Sequence, residues 1–163
     1  MVIYRDSLCL VMFNKILVAV DGSEASLHAL EVAAKISIDN DAELTILTVA
    51  PYPPPVFTED AMPAYLPQYQ TDLRESHKKM LSKINKEIKT KKPKLKTTPI
   101  VIEGKPAQTI IDASRARESD LIIVGNRGQS GILDWMLGSV SQKVVNSCTA
   151  PVLVVKDQKY CQA

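Results

Sequence analysis

At 163 residues, 45% of them hydrophobic, the chain is long enough to bury one core and is most simply a single domain. A net charge of +2, from 20 basic and 18 acidic residues, gives no strong field for nucleic acid, and two Phe with one Trp leave few rings for base stacking. Cys9, Cys148 and Cys161 show neither C-x-x-C nor metal-ligand spacing, which argues for a reducing, cytoplasmic setting, and no apolar run reaches the roughly 18 residues that span a bilayer.

Residues 1–13 precede the first strand-like run and read as an N-terminal extension without the basic segment, apolar core and cleavage site of a secretory signal. Residues 15–20 form an apolar run ending in Asp21-Gly22-Ser23, a turn signature that places Ser23 to cap a helix over residues 24–39. On that helix Ala29, Leu30, Ala33 and Ile36 recur at helical spacing and leave Glu31 and Lys35 to water. Asp21 suits either of two roles, a cap for this helix or a carboxylate at the mouth of a site. Residues 43–50, rich in Leu, Ile, Val and Thr, read as the second strand. Residues 51–67 carry six prolines, too many for regular structure, and are long enough for a flap over a site.

Leu73, His77, Met80, Ile84 and Ile88 mark one face of a long helix that stops near Lys91-Lys92-Pro93. His77 and His28 have no metal-binding company and read as ordinary helix residues, while the basic run from Lys86 to Lys96 reads as a solvated helix end and loop. Residues 97–102 are the third strand, where Pro99 points to a sheet edge. Gly104-Lys105-Pro106 opens the next helix, with Ile110, Ile111 and Ser114 on its inner face. A buried strand over residues 120–124, a helix over 140–146, a last apolar strand from Pro151 to Val155 and a tail over 157–163 complete the chain. Five strands alternating with four helical segments imply α/β architecture: a parallel sheet covered on both faces, with ligands held beyond the strand carboxyl ends where strand order reverses.

The stretch GNRGQSGILDWMLGS, from Gly125 to Ser139, carries the chemistry. Gly125 and Gly128 fall where the chain leaves a buried strand and backbone can approach a ligand, and Gly138-Ser139 opens a helix. Unpaired N–H groups and a positive dipole end there, with the Ser139 and Ser141 hydroxyls, describe a phosphate cradle. Both glycines also fit a tight strand exit alone. Neither Walker A nor G-x-G-x-x-G is present.

The run G-x2-G-x9-G-S, with Ile16-Leu17-Val18 leading into Ala19-Val20-Asp21-Gly22-Ser23 and with Ala150-Pro151-Val152-Leu153-Val154-Val155, resembles the universal stress protein family, specifically its ATP-binding branch. The resemblance covers roughly residues 14–156. It implies a single-domain, open five-stranded parallel sheet of order 3-2-1-4-5, adenine nucleotide α-hydrolase-like, with a crevice between strands one and four. It implies ATP as ligand, with ADP or AMP as alternatives because N–H and hydroxyl donors do not count phosphates, and a divalent cation such as Mg with the phosphates. By position, Ala19, Asp21, Val49 and Val124 take the adenine side, Gly125, Asn126, Arg127 and Gly128 the ribose and phosphate side, and Gly138, Ser139, Val140 and Ser141 the triphosphate end. Arg127 suits phosphate or solvent equally, and Trp135 reads as a packing or interface residue. Pairing of Pro151 to Val155 across a homodimer is also implied.

Hydrolysis needs a positioned water and a base, and two histidines on unrelated helices build no nucleophile constellation. No catalytic or metal-ligating residue is assigned. The expectation is a soluble nucleotide-dependent regulator or sensor in stress response, with slow or partner-dependent ATP hydrolysis compatible. Occupancy would order residues 51–67 and 129–137 and change the surface shown to an unidentified protein partner, with neither nucleic acid nor membrane involved. A genuine ATP-hydrolysing enzyme of the same fold and a nucleotide-free dimeric interaction module remain the alternatives.

Overall fold

A computed structural model describes residues 13–52, 56–57, 63–64, 67–127 and 137–156. In chain order the elements are β1 (Lys15–Ala19), α1 (Glu24–Asp39), β2 (Glu43–Ala50), β3 (Val56–Phe57), β4 (Pro63–Ala64), α2 (Pro67–Lys91), β5 (Lys96–Glu103), α3 (Pro106–Ala116), β6 (Leu121–Gly125), α4 (Ser139–Ser147) and β7 (Val152–Val155). Five strands form one parallel sheet in the order β5-β2-β1-β6-β7, which is the expected 3-2-1-4-5 when the sheet strands alone are counted.

The period of two along each strand divides the core into two layers. Ile16 and Val18 of β1, Leu44 and Ile46 of β2, and Leu121 and Ile123 of β6 pack beneath α1 and α2 with Ala29, Leu30, Ala33, Leu81, Ile84 and Ile88. Leu17, Leu47, Ile122 and Val124 face the other way, beneath α3 and α4, with Ala107, Ile110, Ala113 and Val144. Of the strand residues, Ile16, Leu17, Val18, Leu44, Ile46, Leu47, Ile122 and Ile123 are at most 1% exposed, and each such side chain contributes roughly 1.5–3 kcal/mol of burial.

Helix α1 starts where its cap says: the Ser23 hydroxyl accepts from the Ser26 N–H at 3.3 Å. On α2 the buried stripe is Leu81, Ile84 and Ile88, with Met80 at its margin, whereas Leu73 and His77 are half-buried and His77 Nδ1 donates to the Leu73 carbonyl at 2.8 Å. Pro99 lies exposed in the border strand β5, paired on one side only, opposite Ile46. The proline-rich segment departs from expectation, since Val56–Phe57 and Pro63–Ala64 pair as a two-residue antiparallel ladder. Pro63 opens its strand, a position where a missing N–H is tolerated. Residues 53–55, 58–62 and 65–66 of the proposed flap, the extension through residue 12 and the tail over 157–163 lie outside the described residues.

Candidate functional site

A cleft of about 270 Å³ opens at the carboxyl ends of β1, β2 and β6, where the connections diverge to opposite faces of the sheet. Its floor continues the layer that faces α3 and α4: beyond Leu17 and Ile122 the next residues with the same orientation are Ala19 and Val124, joined by Leu47 and Val49 from β2. Pro106 and Ile110 of α3 close one side, and Gly138, Ser139, Val140 and Ser141 at the start of α4 close the other. The β1 to β2 ladder ends with the Val20 N–H donating to the Leu47 carbonyl at 2.8 Å. Peptide groups alternate along a strand, so those of Val49 are directed to the β1 side, past the point where β1 has left the sheet.

The exit of β1 is locked from within. Asp21 Oδ1 accepts from the Ser23 N–H at 3.0 Å and from the Ser23 hydroxyl at 2.6 Å, and the Ser26 hydroxyl donates to the Ser23 carbonyl at 2.8 Å. Asp21 therefore shapes the turn while Ser23 caps the helix, and Asp21 lines the cleft as well. Gly22 adopts φ +83°, the left-handed region that a side chain disfavours.

Across the cleft, Gly138 caps α4 with extended backbone and no side-chain hydrogen bond. The first main-chain bond of that helix is Gln142 N–H to the Gly138 carbonyl at 2.9 Å, so the N–H groups of Ser139, Val140 and Ser141 precede the internal ladder and present a positive dipole end. Ser139 is exposed at this end. The Ser141 hydroxyl donates to the Asn126 carbonyl and the Gly138 carbonyl, each at 3.2 Å, so its proton is engaged by the fold rather than held ready for a ligand. Arg127 lines the cleft, with Nε and Nη2 shielded from solvent.

Asn126 and Gly125 both carry structural roles. Asn126 is buried behind the cleft wall, where its N–H donates to the Val155 carbonyl at 2.9 Å and its carbonyl accepts from the Gly138 N–H at 2.8 Å. The main chain of this one residue thereby ties β6, β7 and α4 together. Gly125 borders the cleft, yet the space its β-carbon would take is filled by α1: the Ala25 carbonyl carbon and oxygen would both stand at 2.9 Å. Close packing of helix on strand therefore imposes glycine here, whatever binds. Gly128 and Trp135 lie outside the described residues.

Sequence reasoning missed Val20, Ser26, Leu47, Pro106 and Ile110 as lining residues. Pro106 and Ile110 were signalled, because a helix that follows a parallel strand begins at that strand's carboxyl end and brings its first turns beside any crevice there. Among the described residues the cleft holds one carboxylate, Asp21, and no histidine; no group of three metal-ligating side chains occurs, and no helix is long and apolar enough to cross a membrane. Cys148, just past α4, has its thiol pKa pushed up by burial, with the Arg115 guanidinium acting in the opposite direction.

Residues 12–156 match the family model described as the Universal stress protein family. The chain is 39% identical over 150 residues to the universal stress protein YxiE of Bacillus subtilis, covering 89% of this chain and all of that one. Among solved structures it resembles MJ0577 of Methanocaldococcus jannaschii, with a TM-score of 0.72, 26% identity, and 90% and 98% of the two chains covered. It also resembles a universal stress protein solved in complex with cAMP, with a TM-score of 0.63, 24% identity, and 89% and 98% covered.

Proposed function

The chain belongs to the universal stress protein family, and from that premise we propose that it binds an adenine nucleotide, ATP foremost, in the cleft between β1 and β6 and works as a nucleotide-dependent regulator. The observation that carries this reading is the pairing of an apolar floor with a helix N-terminus whose cap, Gly138, offers no side-chain hydrogen bond, on the opposite wall. A flat base fits against Ala19, Val124 and Ile110, with its edge toward the peptide groups of Val49. The ribose and phosphates lie toward Gly125 and Arg127, and the N–H groups of Ser139, Val140 and Ser141 receive the phosphate oxygens as helix N-termini receive anions elsewhere. Adenine as the base is supported by the structural neighbour that carries cAMP.

Asp21, which lines the cleft, would meet the ribose or help to hold a divalent cation such as Mg that neutralises phosphate charge. With one carboxylate already bonded to Ser23 and no histidine among the described lining residues, the site favours retention of ATP over rapid turnover. The border strand β7, preceded by Pro151, is the surface through which two copies pair in this reading, and the setting is the cytoplasm.

Mass spectrometry of nucleotide released from purified protein, then calorimetric titration of ATP, ADP, AMP and cAMP into stripped protein, tests the proposal. A bound adenine nucleotide, with affinity reduced at least about tenfold in Gly138→Val by blocked approach to the α4 N-terminus, is the expected result. Absence of binding by folded wild type overturns it.

A further inference from the structure

Thr48 is out of character with its surroundings. It stands on the face of β2 that also carries Leu44 and Ile46, beneath α1 and α2, and it is 0% exposed. A hydroxyl in an apolar layer costs free energy unless it is bonded, and this one donates to the Val20 carbonyl at 3.0 Å.

That carbonyl is the first beyond the end of β1, and the register of the two strands shows what it would otherwise do. β1 and β2 pair from Lys15 opposite Glu43 to Ala19 opposite Leu47, so one further step sets Val20 opposite Thr48. In a parallel ladder, a residue that donates to the one before its opposite number accepts from the one after it. Val20 does the first, its N–H reaching the Leu47 carbonyl at 2.8 Å. The regular second bond would come from the Val49 N–H. The Thr48 hydroxyl takes the carbonyl instead, from the side of the sheet on which α1 lies, and so draws it out of the sheet plane. The next residue is held on the same departing course, since the Asp21 N–H donates to Ser26 Oγ at 3.3 Å.

The consequence falls on Val49, which lines the cleft with its peptide groups directed into the gap that β1 leaves. An N–H tied to Val20 could not donate to a ligand.

We propose that Thr48 is a positioning residue for the base. Its hydroxyl occupies the Val20 carbonyl, ends the β1 to β2 ladder one bond early and leaves the Val49 N–H open to an acceptor nitrogen such as N1 of adenine. Inosine carries a proton on the same ring nitrogen, so an open N–H here favours ATP over ITP. The role at the base rests on the nucleotide reading of the cleft, whereas the early end of the ladder does not.

Hydrogen exchange followed by NMR in the ligand-free protein tests the clamp. In wild type the Val49 amide should exchange at least about tenfold faster than the Leu47 amide, which faces the same way inside the ladder. In Thr48→Val the Val20 carbonyl loses its donor and turns to the Val49 N–H, so the Val49 amide should become as slow as that of Leu47. Calorimetry should show ATP binding weakened about tenfold in Thr48→Val and a narrower preference for ATP over ITP. Inorganic tripolyphosphate, which lacks a base, should behave alike with both proteins. Thr48→Ser keeps the hydroxyl but loses a buried methyl, so it should melt lower than wild type and still retain the open amide and the preference for ATP. A merely structural Thr48 would lose stability and base preference together. A wild-type Val49 amide as slow as that of Leu47 overturns the proposal without any variant or ligand. So does a preference for ATP over ITP that is unchanged in Thr48→Val or equally lost in Thr48→Ser. An open Val49 amide in folded wild type that binds no nucleotide overturns the role at the base and confirms the clamp.

Discussion

The main chain of Ala25, in the first turn of α1, lies 2.9 Å from the point where a β-carbon on Gly125 would stand. Backbone atoms cannot swing aside as a flexible side chain can. Gly125→Ala is therefore expected to push α1 off β6 and to lower stability by about 1–3 kcal/mol, read as a fall in the urea midpoint with an unchanged slope.

Gly138 presents the opposite case. A β-carbon there meets the Asn126 carbonyl oxygen and Ser141 Oγ at 3.4 Å, which is ordinary contact, and φ is −63°. Gly138→Ala should change the unfolding free energy measured in urea by less than about 1 kcal/mol, the scale of a cap substitution, while weakening nucleotide binding in calorimetry. Full affinity in this variant would remove the reason for placing phosphates against the start of α4.

The turn after β1 separates stability from binding. Ser23→Ala removes a cap and a donor to Asp21, with an expected loss of about 1 kcal/mol in thermal or urea unfolding. Asp21→Asn keeps an acceptor oxygen for Ser23 and should remain nearly as stable as wild type, yet it loses the charge that would meet ribose or a cation. Nucleotide titration with and without Mg distinguishes the two variants.

Ser37 is 1% exposed, and its hydroxyl has no hydrogen-bond partner among the described residues. Ser37→Ala relieves that burden and improves helix propensity within α1, so melting should show a gain of about 0.5–2 kcal/mol.

Burial raises the Cys148 thiol pKa against the smaller opposing influence of Arg115. In a Cys9→Ser/Cys161→Ser background, alkylation by iodoacetamide should be slower than for a free peptide thiol at mildly alkaline pH, and Arg115→Ala should slow it further. The buried thiol's contribution to stability is full below the unfolded thiol's pKa and is lost as pH rises through the higher folded value, because the unfolded chain ionises first.

The sheet was legible because its central strands are buried on both faces and read as continuous apolar runs; residues 43–50 coincide with β2 to the residue. Pro99 marked the border strand for a covalent reason that holds in any context. The short pairing of Val56–Phe57 with Pro63–Ala64 was illegible, since two residues carry no period and proline argues against a ladder locally. Within the site, the alternation that sends Leu17 under α3 carries Ala19 into the cleft, so the floor could be read from strand phase. The tie through the Asn126 main chain could not be read, because it uses backbone groups that every residue type but proline possesses. At Gly125 two causes leave the same mark in the sequence, since close packing against α1 and room for a ligand both call for glycine.

The two borders of the sheet are unlike. Along β5, Pro99 withholds a donor and Lys96 adds charge, whereas β7 is Val152, Leu153, Val154 and Val155 with neither device. A border of the first kind refuses a new strand and one of the second kind accepts it. A copy of the chain that joins through β7 buries its own receptive border in the same act and leaves outward only the refusing one. Were two copies to join in this way, growth by strand addition would end after that single joining, with only the β5 borders left to face a further strand.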